Sequence, residues 1–376
     1  MLSRKKFIAQ SGMLAAGIAM RPSLAFANNF ETKRPPLAYR KFTSEAVEAT
    51  IVGMKKKITD PELAWLFENC FPNTLDTTVE FEMIESKPDT YVITGDIDAM
   101  WLRDSTAQVW PYLPFIKNDA KLRELIEGVI NRQKKCIILD PYANAFYKDV
   151  NKISEWKSDL TKMQPGIHER KWEIDSLCYP IRLAYRYWKT SGDIKVFDAD
   201  WKQCIKLTLQ TFKEQQRKHG DGPYSFQRTT AWATDGVPLA GYGYPVKPVG
   251  LICSTFRPSD DATLFSFLVP SNFFAVVSLK QSAEILNAVY KDAAMANECL
   301  SLAKEVEKAL QQYAIIHHQQ YGKIYAFEVN GFGSFNLMDD ANVPSLLSLP
   351  YLNAVKSNDP IYVNTRKYLS IPNQNV

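Results

Sequence analysis

Histidine is scarce, with only four in 376 residues (His168, His219, His317 and His318). A His-based metal site or a Ser-His-Asp triad therefore has little to be built from. His317-His318 falls at the end of a helical run and reads as a solvated helix end. The six cysteines (Cys70, Cys136, Cys178, Cys204, Cys253 and Cys299) form no C-x-x-C pair and no zinc-finger spacing. Cys136, Cys178 and Cys204 lie in apolar or helical runs and are expected as buried free thiols. A surplus of one charge is also missing: 45 Lys+Arg against 41 Asp+Glu leave +4, so nothing calls for nucleic acid as a partner. The one apolar run near an end, Phe7 to Met20, is shorter than the ~20 residues a bilayer-spanning helix needs.

That run follows Arg4, Lys5 and Lys6 and precedes Ala25-Phe26-Ala27. Basic, apolar, then a small-residue cleavage site is the layout of a secretory signal peptide. Ser3-Arg4-Lys5-Lys6-Phe7-Ile8 also resembles a twin-arginine export signal with Lys for the second Arg. Residues 1–27 are expected as a signal peptide, with an uncleaved anchor as the alternative. Residues 28–376 are then an exported domain, periplasmic or extracellular, without a stable membrane span after cleavage.

Aromatic residues are plentiful: 8 Trp, 18 Tyr and 20 Phe make up 12% of the chain. They suit a large core, and their flat faces also suit a sugar ring. Helix-period patterns fall near Thr43–Ile58, Pro61–Asn69, Ser105–Ile116, Ala120–Ile138, Glu173–Thr190, Asp193–Lys218, Pro270–Tyr290, Asp292–His318, Pro344–Asn353 and Pro360–Leu369. Asp60-Pro61 reads as a helix start and Gly192 as a stop. Long polar connectors, Tyr142–Arg170, Asp221–Asp261 and Tyr321–Asn342, separate the helices, and loops of that length usually carry function. No strand–helix alternation points to a parallel sheet. The fold class expected is all-α, an (α/α)6 barrel of six helix hairpins. Six hairpins need twelve helices, so the expectation is a toroid short of its last helices.

The residues that can carry chemistry are carboxylates crowded into the connectors. Gly95-Asp96-Ile97-Asp98-Ala99-Met100-Trp101-Leu102-Arg103-Asp104 packs three acids, one Arg and one Trp into ten positions. Glu169-Arg170-Lys171-Trp172-Glu173-Ile174-Asp175 repeats the theme. Phe256-Arg257-Pro258-Ser259-Asp260-Asp261 and Met338-Asp339-Asp340-Ala341-Asn342 each hold adjacent acids. Carboxylates and guanidinium bind ring hydroxyls, and Trp covers the C–H face of a pyranose. Glycoside cleavage needs one carboxylic acid to protonate the leaving oxygen and a second as base or nucleophile. Adjacent acids raise each other's proton affinity. The plainer alternatives are capping of helix starts at Asp104-Ser105 and Asp261-Ala262, and a surface patch at Glu169/Asp175. Clustered acids also suit calcium, but no EF-hand spacing is present.

Ile93–Thr106, Asn131-Arg132-Gln133, Asp140–Phe146, Glu173–Pro180, Phe256–Asp261 and Met338–Pro350 together resemble glycoside hydrolase family 125, from about Lys41 to Lys367. The resemblance implies an (α/α)6 barrel without metal or other cofactor. It implies removal of terminal non-reducing α-1,6-linked mannose with inversion, on mannose-containing oligosaccharides such as N-glycan or mannan fragments. It puts the general acid on Asp260, with Asp261 helping to set its charge and geometry. Arg103 and Asp104 match the family's sugar-binding pair, and Asp96, Asp340 and Asn342 are expected to line the same pocket. Members continue to a His-Glu motif whose glutamate is the general base, and Leu369–Val376 does not match it. Asn330 stands where Asp is expected. An inactive mannoside-binding product, or another α/α-barrel glycosidase specificity such as glucose or trehalose, are the alternatives.

Overall fold

The computed structural model describes residues 30–370. The expected signal segment, 1–27, lies outside the described residues. Nine α-helices run through them: α1 (Glu45–Lys55), α2 (Pro61–Cys70), α3 (Leu102–Val109), α4 (Ala120–Leu139), α5 (Ile174–Ser191), α6 (Ala199–Gln215), α7 (Val269–Ile285), α8 (Ala293–Tyr313) and α9 (Pro360–Leu369). Six begin at a side-chain cap. Ser44, Asp60, Asp119, Asp198, Asp292 and Asp359 each accept from a backbone N–H of the first turn, worth about 1 kcal/mol apiece.

The other three, α3, α5 and α7, have no side-chain cap. They are also the most enclosed. In α7 twelve of the seventeen positions from Val269 to Ile285 are buried, the pattern of a helix largely surrounded by protein. Helix α3 packs on α5, and α5 on α7. Helix α4 lies against α5 and α6, and α8 covers α7. An inner file of uncapped helices is thus backed by capped ones.

Ten short strands depart from the all-α expectation: β1 (Val79–Ile84), β2 (Lys87–Val92), β3 (Met100–Trp101), β4 (Ala145–Phe146), β5 (Ile167–Glu169), β6 (Phe267–Leu268), β7 (Ile315–His318), β8 (Gly322–Tyr325), β9 (Glu328–Val329) and β10 (Phe335–Asn336). All pairings are antiparallel. The sheets are β1-β2, β3-β4-β5, β10-β9-β6 and β7-β8. The second and third lie in and between the long connectors, and they lead directly into α3 and α7.

Several helix boundaries move for local reasons. His317-His318 belongs to β7, not to a helix end: Ile315-Ile316 are β-branched, and Gly322, at φ +71°, closes the hairpin to β8. Pro344–Asn353 is a run of turns rather than a helix, with Pro344 and Pro350 as breakers. Pro111 and Pro114 convert the end of the expected Ser105–Ile116 helix into a 3-10 segment over Trp110–Phe115. The thiols of Cys136, Cys178 and Cys204 are free and buried, as expected, whereas Cys70 is exposed.

Helix α4 sits on β2 with no room to spare. A Cβ on Gly128 would come within 2.8 Å of the Thr90 backbone nitrogen and 2.9 Å of the Asp89 carbonyl carbon. Gly128→Ala is therefore expected to destabilise the fold by about 1–3 kcal/mol through overpacking, despite alanine's better helix propensity. A thermal melt checks it: an unchanged or higher Tm would contradict this contact.

Candidate active site

The first turn of α3 and the start of α5 bring one cation to two acids. Arg103 donates from Nη1 to Glu173 Oε2 at 2.6 Å and to Asp175 Oδ2 at 3.3 Å. Its Nε lies 3.6 Å from Asp104 Oδ2. Glu173 and Asp175 are fully buried. One guanidinium cannot neutralise two buried carboxylates, so at least one proton is held more tightly than usual. Burial pushes Asp175 up to about 6, against the pull of Arg103. It pushes Glu173 well above the ordinary carboxylate range, again against Arg103. Glu173 Oε1, Asp175 Oδ1, Asp104 Oδ2 and Trp101 Nε1 are buried without a hydrogen-bond partner. Such orphaned groups carry a desolvation cost unless a ligand answers them.

A second strand of polar contacts reaches Asp260. Its loop closes on itself: Arg257 N donates to Asp261 O at 2.8 Å, and Asp260 N to Arg257 O at 3.0 Å. Asp260 is left-handed, φ +65°, a conformation that Asp tolerates better than most residues. Lys171 Nζ donates to the Asp260 carbonyl at 3.1 Å. Asn144 Nδ2 bridges Glu169 Oε2 at 3.1 Å and Asp260 Oδ1 at 3.4 Å. Lys171 also pairs with Glu169 at 3.3 Å and Asp235 at 2.8 Å. Arg228 pairs with Asp159 at 2.6 Å, Glu169 at 3.1 Å and Asp235 at 3.2 Å. Burial, with the charge of Glu169, pushes the Asp260 carboxyl up to about 6, against Arg103 and Lys171. The far side of the loop is pinned by Arg257 Nε on the buried Glu328 at 2.8 Å.

Of the residues singled out from sequence, Arg103, Asp104 and Asp260 share this centre. Asp104 and Asp260 both act electrostatically on Arg103. Asp104 lies within the first turn of α3, which begins at Leu102, so capping does not explain it. Asp261 accepts from Ser259 Oγ at 3.3 Å and stands at no helix start. Asp96 is exposed on the turn between Thr94 and Ile97. Asp340 accepts from Asn342 N at 3.0 Å, and Asn342 is exposed. Among the described residues none of these three has a hydrogen bond or ion pair to the Arg103 centre. Glu169 and Asp175, weighed as a surface patch, are instead buried. Asn330 keeps its turn without a charge, its Oδ1 accepting from Phe332 N and Ser334 N.

Sequence reasoning had no roles for Asn144, Lys171, Arg228 or Glu328. Asn144 and Lys171 lay inside stretches singled out for other residues, and Arg228 and Glu328 stood in connectors without an acidic neighbour. Among the described residues no three His, Cys, Asp or Glu side chains converge as a metal ion needs.

Carboxyls of unequal proton affinity around a guanidinium, with hydrogen-bonding atoms left open, define a class. They are the equipment of a glycoside hydrolase, which must give a proton to a bridging oxygen. The family model of the metal-independent alpha-mannosidases, GH125, matches residues 60–375, and the chain belongs to that family. A curated relative, the meiotically up-regulated gene 157 protein of Schizosaccharomyces pombe, is 42% identical over 354 residues, spanning 90% of this chain and 69% of the relative. Among solved structures, a metal-independent alpha mannosidase of Streptococcus pneumoniae is 40% identical with a TM-score of 0.83. That match covers 88% of this chain and 77% of the other, which was solved as a non-productive complex with alpha-1,6-mannobiose. The chain is an α-mannosidase-family glycoside hydrolase, and mannose-containing oligosaccharides are its partners.

Removing the guanidinium should strand both acids. Arg103→Met is expected to cost about 3–5 kcal/mol at neutral pH, the usual penalty for breaking a buried ion pair. Burial raises Asp175 to about 6 and Glu173 well above the ordinary carboxylate range, so falling pH protonates them and leaves less buried negative charge for Arg103 to balance. The loss should therefore shrink toward acid and grow as pH rises through 6. Denaturant unfolding of both proteins between pH 4 and 8 checks this; a pH-independent difference would contradict it.

Proposed function

We propose that the protein is an exo-acting α-1,6-mannosidase that removes terminal non-reducing mannose by single displacement, with inversion at the anomeric carbon. Asp260 is its general acid. The observation that carries this reading is the state of that carboxyl. It is partly buried, raised to about 6, and held by Asn144 and Lys171 at the edge of the Arg103 centre. A group with that proton affinity is protonated often enough near neutrality to donate, and its anion is stable enough to result. Arg103, Asp104 and the unpartnered oxygens of Glu173 and Asp175 then take the hydroxyls of the terminal mannose. The α-1,6 linkage is supported by the disaccharide bound to the S. pneumoniae relative.

The architecture proposed for it is the (α/α)6 barrel, one domain over residues 28–376. What supports it is the file α3–α5–α7 backed by α4, α6 and α8. The uncapped N-termini of α3 and α5 point the positive ends of two helix dipoles at the acid-rich centre. From the layout of residues 1–27 we also propose that the enzyme works after export. In the reaction the proton passes from Asp260 to the bridging oxygen as the C–O bond breaks and water attacks the opposite face. The water's own proton acceptor is assigned to none of the described carboxylates.

Asp260→Asn is expected to lower hydrolysis of α-1,6-mannobiose by about 10²–10⁴-fold while sparing sugar binding. α-Mannosyl fluoride, whose leaving group needs no proton, should be affected far less. In the unmodified enzyme kcat should decline as pH rises through about 6, because the acid form is lost. Equal rates on mannobiose for both proteins would sink the assignment. NMR of the first-formed product should show β-mannose, and α-mannose would contradict inversion.

A further inference from the structure

Away from the Arg103 centre, helix α5 carries a second enclosed cation. Arg182 lies seven residues beyond Asp175, about 10 Å along the helix, and is only 6% exposed. It borders a cleft of about 330 Å³ together with Trp110, Phe274, Gln281 and Tyr351, a volume within the range of small-ligand sites. Its guanidinium carbon stands 4.2 Å from the Trp110 ring centroid, 4.4 Å from Tyr351 and 5.9 Å from Phe274. Nη2 donates to the Tyr351 carbonyl at 3.3 Å. Among the described residues the guanidinium makes no other hydrogen bond and no ion pair, so Nε and Nη1 are left to the cleft.

Enclosed arginines elsewhere in the molecule are matched by acids. Arg103 meets Glu173 and Arg228 meets Asp159, each at 2.6 Å. In both, burial is overcome by those carboxylates, and the guanidinium holds its proton more tightly than usual. Around Arg182 burial prevails and the shift is downward, with no acid among its causes. Arg186, one turn further along α5, lines the same cleft and is exposed. Among the described residues it too has no ion pair, and like charges four residues apart on a helix repel. Glu284, which accepts from the lining Tyr185 at 2.7 Å, is paired with Lys189 instead. Aromatic faces attract a buried cation but do not neutralise it. The cleft also holds an unanswered acceptor: Gln281 Oε1 is buried without a hydrogen-bond partner.

We propose that this cleft binds a small cyclic acid of the uronic type, whose carboxylate is held by Arg182 and Arg186 and whose ring hydroxyl donates to Gln281. Two guanidinium groups without an acid call for an anion, and the planar fork of arginine matches a carboxylate in two parallel hydrogen bonds. An orphaned acceptor calls for a donor on the same ligand. The aromatic lining suits the C–H face of a ring, which a bare inorganic anion lacks. Nothing in this site depends on the role of Asp260.

The test is calorimetric titration of the whole chain with sodium D-glucuronate. D-Glucose serves as the same ring without the charge, and sodium phosphate as a charge without the ring. Glucuronate should saturate one site, and glucose and phosphate should each bind at least about tenfold more weakly. Excess methyl α-mannoside, directed at the Arg103 centre, should not displace it. Arg186→Gln should weaken glucuronate by about tenfold with Tm unmoved, because that side chain is exposed. Arg182→Lys, which keeps the charge and loses the fork, should weaken it by a similar factor. The site is overturned if glucuronate shows no saturable binding, or if glucose or phosphate binds as tightly. It is equally overturned if methyl α-mannoside competes, or if both arginine variants bind glucuronate as the unmodified protein does.

Discussion

One positive charge shared between two fully buried acids is the constraint that organises this molecule. Arg103, Glu173 and Asp175 sit at the starts of two packed helices. Burying any of the three alone would cost several kcal/mol. Together they are tolerable only if the helices meet at this spacing, so the ion cluster and the α3–α5 packing specify each other. The cluster is also incomplete as a hydrogen-bond network. Buried oxygens on Glu173 and Asp175 have no partner within the protein, and a fully stabilising network would have found them one. Stability has been conceded at these oxygens.

The Asp260 loop solves the complementary problem of raising a carboxyl's proton affinity while two cations stand close. Arg103 and Lys171 both favour the anion; burial and Glu169 oppose them and prevail. Lys171 contributes less to that balance than its charge suggests, because its ammonium is already committed to Glu169, Asp235 and the Asp260 carbonyl. Its grip on the backbone oxygen fixes the left-handed turn, while its charge is answered elsewhere. Glu169 has the reverse role. Arg228 and Lys171 pair with it beside Asp260, and its charge works against a second one on Asp260.

The sequence made the acid clusters visible and left their partnerships hidden, for a physical reason. Arg103-Asp104 and Asp260-Asp261 are neighbours along the chain, and their density in connectors is readable from spacing alone. The contacts that give them meaning join residues 70 or more positions apart, such as Arg103 to Glu173 or Asn144 to Asp260. Periodicity carries no information about those. The surface-patch reading of Glu169/Asp175 failed for this reason: an acidic stretch looks solvated until its distant cations are known. The helices were legible wherever an Asp or Ser cap stood before an apolar period. The missed elements were strands of two to six residues, too short for alternation to register. The exception, β1-β2, has Pro88 inside β2, a residue that argues against a strand by itself.

The distribution of caps follows from the same division of labour. The six capped helices start on a Ser or Asp whose side chain supplies the first-turn N–H groups with an acceptor. Helices α3 and α5 begin at the Arg103 centre, in space that no capping side chain occupies. Their first residues instead bring Arg103, Asp104 and Asp175 to that space. The free N–H groups and dipoles of these helix starts favour the carboxylates gathered there, partly offsetting the repulsion among them. A capping serine at position 101 or 173 would satisfy the local backbone and remove the indole or the carboxylate that the centre uses. The absence of caps on α3 and α5 thus goes with the ion cluster, and it marks in the fold which helix ends meet at the Arg103 centre.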